Sequence, residues 1–402
     1  MPRAGENAAR IASLEARHRS SNLSPFFTDA QSSFPEYIEH SRRMIAQAHA
    51  GWEPAELGKI VDGNAPFELK PADGYAAGKQ KTYRRGILLT HGLTDSPYFM
   101  RHLAAFFQES GFRVMAILLP GHGTQPGDLL DVRWQEWLKV VEYGIEKLAL
   151  EADDVYLGGF SAGGALSVYQ SLRDQRVRGL FLFAPALKIS SKAAYANLHK
   201  AYSWLIPPAK WLNIHPDTDI YKYESFPKNA AAQMYALTQA VRQRMAAGNV
   251  NVPVFAVVSQ DDTTVDTSAT VGFMAHAPHP ANKLVYYYSD PLSIPVNFEK
   301  EKIECVNSVL PERGIVSSAH TAIVLPGDDA YYGEQGEYRN CLHYYPDEMD
   351  KYDACQYSSQ QIMQGEITEK NLKTGTICRL MANPHFAGLK NAMQKFIDGL
   401  SG

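Results

Sequence analysis

Three residue types, spaced widely along this chain, could together carry out acyl transfer. The first is the serine of Gly159-Phe160-Ser161-Ala162-Gly163. An apolar run, Asp154-Val155-Tyr156-Leu157-Gly158, precedes it, and Gly163-Gly164-Ala165-Leu166-Ser167-Val168-Tyr169 follows with the small and apolar residues of a packed helix. A sharp strand-to-helix turn forces its central residue into strained backbone, and flanking glycines keep other side chains from crowding the hydroxyl. The N–H groups at the start of the helix favour negative charge developing there. Gly-x-Ser-x-Gly strings are common in glycine-rich loops, so the strand before and the helix after are what make Ser161 a candidate nucleophile.

A serine hydroxyl is a poor nucleophile at neutral pH and needs a base within hydrogen-bond reach. On a parallel sheet the partners follow in the order serine, acid, histidine, on loops after later strands. For the acid, the apolar run 252–259 ends in Gln260-Asp261-Asp262-Thr263-Thr264-Val265-Asp266. A carboxylate just past a buried strand can orient an imidazole and stabilise its protonated form. Asp262, three residues before Val265, fits best; Asp261 is the substitute, and Asp266 reads as the cap of the next helix. Of thirteen histidines, chain order leaves His276, His279, His320, His343 and His385. His320 alone lies in a short loop after a strand pattern, in Ser317-Ser318-Ala319-His320-Thr321-Ala322-Ile323. His276 and His279 lie at a helix end beside prolines, His343 in a polar stretch, and His385 at the start of the last helix. The base is therefore read as His320.

Acyl transfer also needs donors for an oxyanion, and removing one typically costs about a hundredfold or more in rate. The strand 87–90 runs into His91-Gly92-Leu93-Thr94-Asp95-Ser96-Pro97. Gly92 permits a turn that aims the next N–H into the cleft, so Leu93 is one donor and Ala162, directly after the nucleophile, the other. His91, at a strand end, reads as loop support. Leu119-Pro120-Gly121-His122-Gly123-Thr124 is a second glycine-rich turn, without the lysine of a phosphate-binding loop, and residues 158–164 do not satisfy Gly-x-Gly-x-x-Gly. Nucleotide binding has no support. Asp217-Thr218-Asp219 and Asp328-Asp329 lack a fuller ligand set and read as ordinary acidic loops, so neither metal nor cofactor is expected.

These residues must be positioned by an α/β core. Runs at 85–90, 112–119, 155–158, 180–184, 252–259 and 283–289 are apolar on consecutive positions, as suits strands covered on both faces. Helical patterns at 98–110, 134–148 and 163–174 alternate with them, which predicts an open, mostly parallel sheet flanked by helices. Residues 1–80 read as an accessory segment with helices near 8–19 and 36–50 and a strand near 67–69. Residues 81–189 and 249–326 form the core. Residues 190–248, too long for one crossover, read as a helical cap with helices near 193–205 and 230–247, holding Tyr195, Tyr202, Trp204, Trp211, Tyr221 and Tyr223. Residues 327–378 form a Cys/Tyr-rich insert, and residues 379–402 carry a final core helix.

Composition narrows the partners. With 39 Lys plus Arg against 43 Asp plus Glu, the net charge is −4, which offers no polyanion-binding surface, so nucleic acid is not expected. No apolar run approaches a membrane span. Residues 1–20 are charged and lack the apolar core of a secretion signal, which reads as cytoplasmic. The four cysteines, Cys305, Cys341, Cys355 and Cys378, lie outside the predicted strands in the C-terminal quarter and match no zinc spacing. Four reduced thiols fit a cytoplasmic chain. The alternative is a periplasmic or secreted protein whose leader has been removed and whose cysteines pair.

Taken together, the segments around Gly92, Gly121 and Ser161, with Asp262 and His320, resemble the α/β-hydrolase family, most nearly its bacterial monoacylglycerol lipase, lysophospholipase and carboxylesterase branch. The resemblance covers about residues 85–321 plus the last helix. It implies an α/β-hydrolase fold with a cap inserted after the sixth strand, and cleavage of carboxylic esters with an apolar acyl group through an acyl-enzyme, without a cofactor. Amide or peptide cleavage, acyl transfer, or a non-catalytic binding protein on the same fold are the alternatives. The long N-terminal segment and the insert after His320 depart from the pattern and leave pocket shape and oligomeric state open.

Overall fold

The structure, a computed structural model, describes residues 14–23, 32–71, 81–189, 207–296 and 298–400. Its main sheet has eight strands: β1 (Phe67–Leu69), β2 (Tyr83–Thr90), β3 (Phe112–Ile117), β4 (Ala152–Phe160), β5 (Val177–Phe183), β6 (Val254–Ser259), β7 (Lys283–Tyr288) and β8 (Ile303–Asn307). They lie in the order β1-β3-β2-β4-β5-β6-β7-β8, and every neighbouring pair is parallel except β1 with β3. Among the described residues, the α-helices of nine residues or more are α1 (Phe34–Ala48), α2 (Pro54–Asn64), α3 (Arg101–Glu109), α4 (Trp134–Glu151), α5 (Ala162–Ser171), α6 (Lys228–Ala247), α7 (Thr267–His276), α8 (Met349–Tyr357) and α9 (Phe386–Gly399).

Side chains alternate across a strand, and this splits the core into two layers. Leu88, Met115, Leu157, Leu182, Ala256 and Val258 face one way and pack with Trp137 and Val141 of α4, Leu166 of α5 and Leu237 of α6. Their neighbours Ile87, Leu89, Val114, Phe181, Phe255 and Val257 face the other, against Leu103 and Phe107 of α3 and Leu389 and Phe396 of α9. Phe181 is the hub of the second layer, with ring centroids of Phe107 at 4.8 Å, Phe396 at 5.3 Å and Phe255 at 6.0 Å. Buried Arg113 of β3 pins the antiparallel edge strand: it pairs with Glu68 of β1 and Glu151 of α4 and donates to the Leu69 carbonyl at 3.2 Å.

Chain order and sheet order together create the site. From β2 the chain goes outward to β3, then returns across β2 to β4 on its other side. That reversal leaves a crevice at the carboxyl ends of β2 and β4, where Thr90 pairs with Gly159, the usual ligand position in open α/β sheets.

Several sequence expectations change. Only β1 precedes β2 among the described residues, so the 190–248 stretch follows the fifth strand of the sheet and not the sixth. The region before β1 is helical instead: α2 was disguised by Gly58 and Gly63, yet Pro54 starts it and Glu56 sits in its first turn. Within 8–19, the described part holds only a 3₁₀ turn, Ala16–His18. The expected helix near 193–205, with Tyr195, Tyr202 and Trp204, lies outside the described residues. β8 was missed because it is a half-buried edge strand carrying Glu304, flanked by Lys300, Glu301 and Lys302; Cys305 sits on it. The four-thiol reading also fails, since Cys341 and Cys355 form a disulfide, leaving Cys305 and Cys378 free.

The N-terminal helices are docked on the loop after β3. Ser33 and Glu36 cap α1 reciprocally, and the Tyr37 hydroxyl donates to the Leu118 carbonyl at 2.8 Å. Met44, Ile45, Ile60 and Val61 close around Leu118. No helix among the described residues is long and apolar enough to cross a membrane.

Phe181→Ala should leave a cavity at the aromatic hub and cost about 3–5 kcal/mol, read as a lower urea midpoint at unchanged slope.

Candidate active site

Ser161 stands at the β4–α5 junction with φ 52° and ψ −111°, in the left-handed half of backbone space that side chains avoid. Its N–H donates to the Phe183 carbonyl at 2.9 Å, and its carbonyl accepts from Ala186 N–H at 2.9 Å. The glycines are required by contact. A Cβ on Gly159 would lie 2.3 Å from Gly163 backbone, and one on Gly163 would lie 2.1 Å from the Thr90 carbonyl oxygen. α5 can therefore press against both β4 and β2 while the serine is turned toward the crevice.

His320 begins a 3₁₀ turn, His320–Ala322, in the loop after β8. Its Nδ1 lies 2.6 Å from Asp262 Oδ2 and its Nε2 lies 3.0 Å from Ser161 Oγ. Nδ1–H donating to the carboxylate leaves Nε2 as the acceptor of the serine proton. All three side chains are nearly closed to solvent, with Ser161 7% and His320 5% exposed as residues and the Asp262 side chain 1%. The other Asp262 oxygen accepts from Thr264 N–H at 2.8 Å and Val265 N–H at 2.9 Å. Asp261 turns away, to the Ser289 hydroxyl at 2.8 Å, and burial pushes its carboxyl above the usual range. Asp266 caps α7 through Ser268 N–H. The remaining histidines are elsewhere: His276 at the exposed end of α7, His279 on Ala281 N–H, His343 in the insert and His385 before α9.

Leu93 follows β2 beside this group. Gly92 is held to glycine because a Cβ there would lie 2.2 Å from Asp95 Oδ2 and 3.2 Å from Ser161 Cβ. Ala162 is the first residue of α5 and fully buried.

Two histidines brace the loop, and only His91 was expected from its position to do so. His91 Nε2 accepts from Leu119 N–H at 3.0 Å, which leaves Nδ1–H to donate to the Gly92 carbonyl at 2.8 Å. His122 Nε2 accepts from Thr94 N–H at 3.0 Å, and its Nδ1–H points to the Leu119 and Pro120 carbonyls. Burial drives His91 well below its ordinary pKa and His122 down to about 4, so both stay neutral and keep their tautomers. Residues after 207 add a second brace. Lys222 pairs with buried Asp95 and reaches Thr94 Oγ1 at 3.1 Å, while Tyr223 N–H donates to the Thr94 carbonyl at 2.8 Å. Only spatial proximity reveals these partners, because Lys222 is over a hundred residues from Asp95.

Three aromatic residues of 207–248, Trp211, Tyr221 and Tyr223, have ring partners. Tyr221 stacks on Tyr98 at 3.8 Å, and Trp211 meets His18 edge-on at 5.0 Å. The only group of three metal-ligating side chains found among the described residues is Cys341, Cys355 and Cys378, two of which are already joined. Asp217, Asp219, Asp328 and Asp329 form no metal-ligand group there.

Residues 81–289 match the family described as "Serine aminopeptidase, S33", just over half of the chain. The chain belongs to this family. As an α/β-hydrolase it is 27% identical over 184 residues to a thermostable monoacylglycerol lipase of Bacillus sp. (strain H-257), covering 45% of this chain and 71% of the relative. It is 23% identical over 212 residues to a carboxylesterase of Bacillus subtilis (strain 168), covering 51% and 78%. Among solved structures it is similar to a monoacylglycerol lipase of Paleococcus ferrophilus, with TM-score 0.43, 19% identity, and coverage of 56% of this chain and 88% of that one.

A buried contact between residues 207–248 and the insert of this α/β-hydrolase predicts a pH effect. Tyr332, from the insert, donates to both oxygens of buried Asp219 at 2.6 and 2.7 Å, and burial still pushes that carboxyl from 3.8 up to about 8. A folded-state pKa above the unfolded one means that this group's contribution to stability is complete below about pH 4 and is lost as pH rises to about 8. The urea midpoint should fall across that window, and less steeply in Asp219→Asn.

Proposed function

We propose that this chain is a cofactor-independent serine hydrolase of carboxylic esters. The observation that carries the reading is the continuous path Asp262, His320, Ser161, with contacts of 2.6 and 3.0 Å at the mouth of a parallel sheet. His320 removes the proton from Ser161 as its oxygen attacks the ester carbonyl. Asp262 steadies the imidazolium, and the Leu93 and Ala162 N–H groups receive the oxyanion. His320 then protonates the departing alcohol, and water activated by the same nitrogen releases the acid and restores Ser161.

The substrate class draws on the relatives, a monoacylglycerol lipase and a carboxylesterase. It is a small ester with an apolar acyl group, monoglyceride-like or another short-to-medium acyl ester. Trp211 and Tyr221 do not argue for acyl length, since their rings are used in packing. The 190–248 segment acts as the cap, and the Cys341–Cys355 disulfide favours an oxidising compartment, periplasmic or extracellular, over the cytoplasm. The family description supports a second reading, peptide cleavage from an amino terminus, which uses the same acyl-enzyme chemistry.

A fluorophosphonate probe should label the intact protein and not Ser161→Ala. Ser161→Ala and His320→Ala should each lower kcat/KM on p-nitrophenyl butyrate by on the order of 10⁴-fold or more, with folding retained by circular dichroism. Absence of labelling in the intact protein overturns the enzyme reading. Faster turnover of aminoacyl p-nitroanilides than of nitrophenyl esters selects the peptidase.

A further inference from the structure

The insert after His320 supplies a carboxylate that touches both loops of the proposed triad. Glu366 follows a two-stranded parallel ribbon, Met363–Gly365 with Ile377–Arg379, and is completely buried. One oxygen, Oε2, accepts from the backbone N–H of His320 at 3.0 Å. The other, Oε1, accepts from the hydroxyl of Thr263, the residue after Asp262, at 3.0 Å. It also takes the Ile367 N–H at 2.8 Å and lies 3.1 Å from Arg379 Nη2, which balances its charge. A buried carboxylate with this many donors is fully satisfied, and its charge-assisted bonds are the strong kind. Its own backbone is tied to the base loop again: the Ser317 hydroxyl accepts from Glu366 N–H at 2.9 Å, and Asn371 Nδ2 donates to Ser317 Oγ at 3.0 Å and to the Glu366 carbonyl at 2.9 Å.

We propose that Glu366 is a positioning residue, which holds the acid loop and the base loop in register and so makes the insert part of the hydrolytic machinery. The inference rests on the triad reading above. Asp262 and His320 come from loops after different strands, β6 and β8, and nothing in the sheet fixes their spacing to a few tenths of an ångström. A rigid group bonded to both loops does. Displacing a reacting group by about 1 Å costs up to about a hundredfold in rate. Glu366 is fully buried and bonds to the two loops and not to the Ser161 hydroxyl, so its loss should act on kcat and leave binding alone. The charged groups facing it are Arg379 on the ribbon, Asp261 and Asp262 after β6, and His320, with Lys370 beyond Asp261.

The test is steady-state hydrolysis of p-nitrophenyl butyrate by the full chain and by Glu366→Gln, Thr263→Val and Ser161→Ala. In Glu366→Gln the amide cannot accept at both ends. This variant should lose about 10- to 100-fold in kcat with KM within about twofold. Thr263→Val cuts only the acid-loop arm and should lose about 3- to 10-fold in kcat. A folded Glu366→Gln with kcat within about twofold of the unaltered protein overturns the proposal, even if its melting temperature falls. Should Glu366→Gln not fold, unchanged kcat in Thr263→Val overturns it. Ser161→Ala separates the two claims: undiminished turnover there defeats the triad itself, whereas an inert Ser161→Ala beside a fully active Glu366→Gln defeats only the positioning role.

Discussion

The structure depends on one uncomfortable residue. Ser161 is held at φ 52°, a conformation costing about 1–3 kcal/mol for a side-chain-bearing residue, and it persists because its surroundings allow no relaxed alternative. Both of its backbone groups are engaged across β5 and the residues after it. Beneath it, Phe160 is clamped between Phe99, stacked at 6.4 Å, and the His320 ring at 5.1 Å. The helix behind it stands so close to β2 and β4 that only glycine fits at Gly159 and Gly163. Strain at one position is thus spread over three strands and a helix.

Around that residue, polarity is fixed in advance. His91 and His122 are buried as neutral rings whose protons are committed to carbonyls, so the loop carrying Leu93 is tied to the loop after β3 through ring nitrogens that accept backbone N–H groups. A titrating pair there would loosen the loop with pH; burial keeps both rings out of that range. Donors that need not reorganise as charge develops are what electrostatic stabilisation of an oxyanion calls for.

How legible this was in sequence varied with how local each cause is. Ser161 announces itself because strand, glycines and helix are contiguous. Asp262 and Asp261 are adjacent and chemically equal; the N–H groups of Thr264 and Val265, gathered by the turn, decide which one faces His320. The central strands were readable because both faces are covered, whereas β8 was hidden by a half-solvated edge, and α2 by two glycines inside a helix. Glu366, Lys222 and Asp95 were beyond reach for a different reason. Each acts through a contact spanning at least 46 residues, with no periodicity or motif to mark it.

Lys222 and Tyr223 carry a consequence for how such a protein can diversify. They belong to the segment between β5 and β6, the part of an α/β architecture free to vary without touching the sheet. Yet they grip Asp95 and Thr94, on the loop that ends β2. The segment is therefore a strut for that loop, and it cannot be exchanged as an independent module. A graft that brings a new selectivity but lacks a cation and an N–H at these two places would leave Asp95 as a buried, unbalanced charge, and the chimera would lose speed and solidity together.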